Sequence, residues 1–271
     1  TGGPLAPPAT LWGGEGGVAA AAVVAGGGGG GGGAPPQGAF SIDVTRSADS
    51  VVVKVTGTSA HGSRPEEGVN PLPRLALFLR AADLDLADNA YAHAVRYLTD
   101  LYGTDYLGNP MGVAYQDDFM GPLTLSPNVI GDKSGRVEVT VNVRMPRGKT
   151  PEALRSEIAD KINAWANASR IAIEIRHDQG NWMARDPKGA WLATLLNIYG
   201  ETTGLDARPV PTAGGTTAKL MPNAVNFGPA MPGKKYTAHN AKEYKAVPDL
   251  DLDMQMFTEM LVRIGNLPSM Q

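Results

Sequence analysis

Three residues join a reactive side chain to an uncommon setting: His61, Arg144 and His239. His61 stands in Thr58-Ser-Ala-His-Gly-Ser-Arg-Pro65, right after one strand pattern and before a helical one. A histidine there is either a plain turn residue or a group turned toward a ligand. His239 stands in Tyr236-Thr-Ala-His-Asn-Ala-Lys-Glu-Tyr244, a polar loop with Glu243 four residues on. It reads as a metal ligand, a catalytic base or a solvated side chain. Arg144 closes a strongly alternating segment. Its planar guanidinium can clamp a carboxylate through two hydrogen bonds there, or stand as an ordinary exposed arginine. Gly214-Gly-Thr-Thr217 sets glycines and hydroxyls before a short helical stretch, where backbone N–H groups can meet an anion. It lacks the spacing of a phosphate-binding loop. Asn128 falls just ahead of a strand, where its amide can reach a ligand. The acidic pairs Asp117-Asp118 and Glu66-Glu67 have no histidine nearby and predict no local metal site. His93 and His177 read as structural. Neither a Gly-x-Ser-x-Gly elbow nor a His-Glu-x-x-His helix occurs, so nucleophilic catalysis and the simplest zinc helix find no support.

The elements that must position these residues follow from periodicity. Phe40–Arg46 and Ser50–Gly57 alternate and predict a hairpin. Leucines at 72, 75 and 79 predict a helix over Val69–Ala82, with Pro71 and Pro73 tolerated in its first turn. A second helix is expected over 89–102. Arg136–Arg144 is the clearest strand. Thr150-Pro-Glu-Ala opens a helix with a hydroxyl N-cap and proline in first position, running to about Asn167. Ile171–Arg176 alternates and predicts a fourth strand. Beyond it, 187–203 reads as helix, Ala224–Gly228 as a short buried strand and 248–264 as an amphipathic helix. The order β-β-α-β-α-β over 40–177 implies an antiparallel four-stranded sheet with helices on one face, an α+β arrangement.

Residues 1–39 differ from the rest. Glu15 is their only charged residue, and Gly26–Gly33 is unbroken glycine, which predicts a flexible linker and no readable function. The chain opens on Thr1 rather than Met, so an upstream segment is expected, and the opening residues lack the order of a signal peptide. The remainder has a globular composition, 42% hydrophobic and 19% charged. A net charge of -3 argues against a nucleic-acid partner, and no apolar run is long enough to span a membrane. The absence of cysteine excludes disulfides, thiolate zinc sites and a cysteine nucleophile, and fits either the cytoplasm or the periplasm.

Taken in order, five passages resemble one family: SAHGSRPEEGVN, YLGNPMGVAYQDDFMGPLTLSPNVI, VTVNVRMPRGKTPEAL, TAGGTTAKLMPNAVNFGP and TAHNAKEY. They are similar to the metal-dependent dipeptidases related to peptidase V and carnosinase, grouped with the aminoacylases and succinyl-diaminopimelate desuccinylase. The resemblance spans about 40–265. It implies an α/β protein in which 40–177 is a lid domain and 178–271 the C-terminal part of a zinc-peptidase catalytic domain. It also implies hydrolysis of a dipeptide amide bond with two divalent metal ions, usually zinc, with manganese or cobalt as alternatives. By the same resemblance His61 stabilises the oxyanion and Arg144 binds the substrate carboxylate. Asn128 adds a lid contact, Gly214, Gly215 and Thr216 line the pocket, and His239 ligates one metal.

The family's other metal ligands, a His-x-Asp motif, a bridging Asp, a Glu-Glu pair and one more acid, are not recognisable. The chain is therefore expected to be inactive alone and not to bind both metals fully. It is expected to be a homodimer or to need a missing N-terminal half. An N-acyl-amino-acid deacylase or desuccinylase, and a non-catalytic binding or dimerisation module, remain as alternatives.

Overall fold

The computed structural model describes residues 12–14, 17–25, 40–47, 50–58, 60–82, 86–133, 136–178, 180–186, 188–212, 215–228, 231–234 and 243–268. The chain divides into two compact units, Thr1–Asn181 and Trp182–Gln271. No helix among the described residues is long and apolar enough to cross a membrane.

In the first unit the helices start where the capping residues demand. Helix α1 (Pro71–Ala81) is capped by Asn70, whose Oδ1 accepts from the Leu72 N–H. Helix α2 (Ala90–Leu101) is capped by Asn89, which accepts from the N–H groups of Tyr91 and Ala92. Helix α3 (Pro151–Ser169) has Thr150 as its cap, Pro151 in its first turn and Glu152 near its positive end. Its buried residues Leu154, Ile158, Ile162 and Ala166 recur every four positions, the stripe expected of a helix packed on one side. That stripe joins Leu98, Leu123 and Leu125 in the main core of the unit. Leu154 is fully buried there. Leu154→Ala is accordingly expected to lower unfolding stability by about 2–5 kcal/mol, read from the shift of a urea unfolding midpoint.

Among the described residues, eight strands form three antiparallel sheets. Strands β1 (Trp12–Gly14), β2 (Gly17–Ala25), β3 (Ser41–Arg46) and β4 (Ser50–Thr56) lie in the order β1-β2-β4-β3. Two short strands, β5 (Gln116–Asp117) and β6 (Gly121–Pro122), make a tight ribbon. Strands β7 (Thr124–Lys133) and β8 (Arg136–Arg144) form a long hairpin, with a register shift between Pro127 and Val129. The mixed α/β class and the hairpin over 40–57 match the periodicity. Three expectations for the first unit need correction.

The four-stranded sheet is built from different strands than expected. Part of the glycine-rich segment, Gly17–Ala25, pairs along β4. Gly26–Gly33, for which a flexible linker is predicted, lies outside the described residues. Second, Ile171–Arg176 forms no strand among the described residues. Burial alternates along it, Ile173 and Ile175 pack on the core, and Arg136 and Glu138 of β8 pair with Glu174 and Arg176. A period of two reports one covered face, not a hydrogen-bonded ladder. Third, Asn128, expected just ahead of a strand, lies inside β7, because Ser126-Pro127-Asn128 interrupts the alternation without ending the pairing. The chain accommodates the proline, which has no N–H, at a bulge.

In the second unit, helix α4 (Ala190–Thr203) ends on Gly204 in the left-handed conformation, φ 69°, the usual glycine stop. Helix α5 (Val247–Gly265) packs on it through Ile198 and Met256. Ala224–Gly228, expected as a short strand, is extended without a ladder, with Val225 and Phe227 half-buried. Among the described residues of this unit there is no strand for it to pair with.

Candidate functional site

The segment that carries His61 leaves β4 and returns to α1 as a closed loop. Its two ends are tied by Thr58 N–H to Val69 carbonyl (3.1 Å) and Val69 N–H to Thr58 carbonyl (2.9 Å). Closure brings the chain so near itself that a Cβ on Gly57 would lie 2.0 Å from the Val69 carbonyl oxygen. Only glycine fits. Gly57→Ala is expected to cost about 1–3 kcal/mol by overpacking and to displace the loop, detectable as a lower urea midpoint together with shifted amide signals over 58–69. Inside the loop, Arg64 N–H donates to the His61 carbonyl (2.8 Å), making the turn that presents the imidazole. The exposed Arg64–Glu67 ion pair, 3.0 Å, adds little.

The loop is seated on the β7–β8 hairpin. Asn70 does two jobs: its Oδ1 caps α1, and its Nδ2 donates to the Pro127 carbonyl (2.7 Å). A Cβ on Gly62 would sit 3.2 Å from Asn128 Nδ2 and 3.5 Å from Asn142 Nδ2. The backbone beside His61 therefore rests against two asparagine amides. Asn128 is held at the bulge, accepting from the Ser126 hydroxyl (2.8 Å).

The register of the hairpin places Thr124 opposite Arg144 and Ser126 opposite Asn142. Side chains two apart on a strand, or directly opposed across an antiparallel pair, share a face. Thr124, Ser126, Asn142 and Arg144 thus form one polar face, while Leu123 and Leu125 point to the core. Three atoms on that face, Thr124 Oγ1, Asn142 Oδ1 and Arg144 Nε, are buried and have no hydrogen-bond partner among the described residues. Thr124 is only 7% exposed. Each such atom costs roughly 1–3 kcal/mol unless something completes it. The set comprises a cation that donates, a hydroxyl that does either and an amide oxygen that accepts. Asn142 and Arg144 lie two residues apart on β8, about 7 Å along the strand.

His61 itself is exposed, and its ring orientation comes from Ser63. The Ser63 N–H donates to His61 Nδ1 at 3.2 Å, and the Ser63 hydroxyl lies 2.7 Å from the same nitrogen.

The structure thus brings His61, Asn128 and the Arg144 end of β8 into one loop-on-hairpin arrangement. Gly215 and Thr216 belong to the second unit and are exposed. The Thr216 hydroxyl donates to Asn226 Oδ1 (2.8 Å), and the helical turn that follows spans only Thr217–Leu220. Gly214 and His239 lie outside the described residues. Asp117 serves structure: its Oδ1 accepts from Met120 and Phe119 N–H and its Oδ2 from Arg147. The Met120 backbone bond, then Arg147, hold its carboxyl below the usual range. His93 braces the start of α2 through Asp88 (2.8 Å). Burial, then the Arg155 charge, lower His177.

Ser63, Thr124 and Asn142 do not stand out in the sequence alone. The signal for Asn142 was present, since it alternates in phase with Arg144. Thr124 needed the hairpin register, which the bulge conceals.

Among the described residues, no group of three or more His, Cys, Asp or Glu side chains could hold a metal ion. Catalytic zinc takes about three protein ligands, so a two-metal centre does not fit these residues.

Residues 45–169 match a family model described as the peptidase dimerisation domain. The chain is similar to a Beta-Ala-Xaa dipeptidase of Lactobacillus delbrueckii subsp. lactis, 29% identical over 228 residues, covering 84% of this chain and 46% of that protein. It is also similar to a succinyl-diaminopimelate desuccinylase of Afipia carboxidovorans, 26% identical over 223 residues, covering 80% of this chain and 52% of that protein. The chain spans about half the length of the curated relatives it matches.

Proposed function

We propose that the chain is part of a metal-dependent peptidase of the peptidase V, carnosinase and aminoacylase group, and that the parent protein hydrolyses the amide bond of a dipeptide; the match to the peptidase dimerisation domain and the similarity to a dipeptidase support this reading. This chain supplies the part that grips the substrate. The observation that carries the reading is the polar face of Thr124, Asn142 and Arg144 beneath the His61 loop, with three buried polar atoms lacking partners among the described residues. Arg144 takes the terminal carboxylate, and the Thr124 hydroxyl opposite it can donate to the same group. Asn142 Oδ1 accepts from a ligand N–H, and His61 donates to the carbonyl oxygen that gains charge as the amide is attacked. A dipeptide offers these groups in this order, and an extended one spans about 7 Å. Asn128 is a further lid contact.

The family resemblance alone proposes Gly214, Gly215 and Thr216 as substrate-binding residues and His239 as a ligand to a metal site completed by the part of the parent protein outside this chain. When bound, the divalent ions, zinc first and manganese or cobalt as alternatives, would supply an activated water. The match to a dimerisation domain makes a second copy of the chain the expected macromolecular partner.

The similarity to a desuccinylase favours a second reading, an N-acyl-amino-acid deacylase. Assaying the parent protein with a β-alanyl dipeptide and with an N-succinyl amino acid, in zinc or manganese, separates the two. Preference for the dipeptide is expected. Preference for the succinyl compound supports the second reading, and cleavage of neither reduces the protein to a binding module.

A further inference from the structure

Ser63 is 7% exposed, in a loop whose other polar residues mostly face water. A buried hydroxyl requires a partner, and this one meets His61 Nδ1 at 2.7 Å. That distance alone leaves two arrangements open, because a hydroxyl can donate to a ring nitrogen or accept from a ring N–H. The Ser63 backbone N–H removes the ambiguity. It approaches the same Nδ1 at 3.2 Å, and a backbone N–H can only donate. Nδ1 therefore accepts and carries no proton, and the ring proton lies on Nε2.

We infer that Ser63 is a positioning residue that locks His61 into its Nε2–H tautomer, making the imidazole a hydrogen-bond donor to an acceptor atom of the ligand. The ligand class is a carbonyl or carboxylate, whose oxygens accept. This deepens the dipeptidase reading and rests on it for the identity of that oxygen. The lock also separates His61 from histidines that bind metal. Those donate their second ring N–H to a carboxylate or carbonyl, leaving the ligating nitrogen bare. Here the inner nitrogen receives two donors, the reverse pattern.

The tautomer can be read on this chain without catalysis. With 15N-labelled histidine, two-bond proton–nitrogen correlation spectra distinguish protonated from bare ring nitrogens, and His61→Gln identifies the His61 signals. The neutral ring is expected to show a bare Nδ1 and a protonated Nε2. Ser63→Ala removes the hydroxyl donor and should raise the Nδ1–H population, and Ser63→Thr should restore the original pattern. Zinc addition should leave the His61 pattern unchanged. A proton on Nδ1 in the unaltered chain overturns the inference even if no variant folds, and so does an unchanged tautomer ratio in a folded Ser63→Ala. In the parent protein, Ser63→Ala should lower kcat by roughly two- to tenfold with little change in KM. A parent protein that cleaves no dipeptide would defeat the functional reading, while the tautomer result would stand or fall separately.

Discussion

Replacing His61 with alanine in the parent protein is expected to lower kcat by about 10²–10³ and leave KM nearly unchanged. A neutral amide carbonyl needs little stabilisation in the ground state. Once attacked, its oxygen carries a full negative charge, and a donor placed for that charge is worth most then. The loss therefore falls on kcat. The position of the ring is over-determined by the closed Thr58–Val69 loop and by the two donors from Ser63. The ring is exposed, so the variant should remain folded. Steady-state kinetics on the intact dipeptide provide the check. An equal rise in KM with kcat unaltered would make His61 a binding group rather than an oxyanion donor.

Arg144→Ala should act on the other parameter, raising KM by roughly ten- to a hundredfold, the size of one buried charge-assisted hydrogen bond. The substrate carboxylate is charged before, during and after amide cleavage, so its clamp binds ground and transition states alike. Arg144 Nε is buried without a partner among the described residues, so the guanidinium is not consumed by a structural ion pair along that edge. Lysine should recover only part of the loss, because a point charge cannot make two parallel bonds to a planar carboxylate. A dipeptide amide, lacking the terminal carboxylate, should bind poorly to the unaltered enzyme and be insensitive to Arg144→Ala. An amide substrate that suffers as much as the acid would contradict the clamp.

Much of the helical framework was legible because capping is local. Asn70, Asn89 and Thr150 each announce a helix within a few residues, and the observed helices begin beside them. Sheet structure was less legible because pairing is a long-range property. The alternation of Ile171–Arg176 correctly marked one covered face, yet alternation carries no information about a ladder partner. The start of strand β7 went unread for the opposite reason: Pro127 and the bulge beside it break the period while the backbone still pairs. The candidate site divides in the same way. His61, Asn128 and Arg144 stand out as residue types in turns and at strand ends. Asn142 and Thr124 become visible only when the register sets them on one face with Arg144. Ser63 emerges only from the hydrogen bonds of the closed loop.

The His61 loop and the β8 edge are proposed to grip opposite ends of one dipeptide-sized ligand. A crystal structure of the parent protein with a non-hydrolysable dipeptide analogue tests it most directly. The analogue's carboxylate is expected on the Arg144 guanidinium, and its carbonyl oxygen, or the group replacing it, within hydrogen-bond distance of His61 Nε2. An analogue that inhibits competitively yet touches neither residue in any copy of the chain would contradict it.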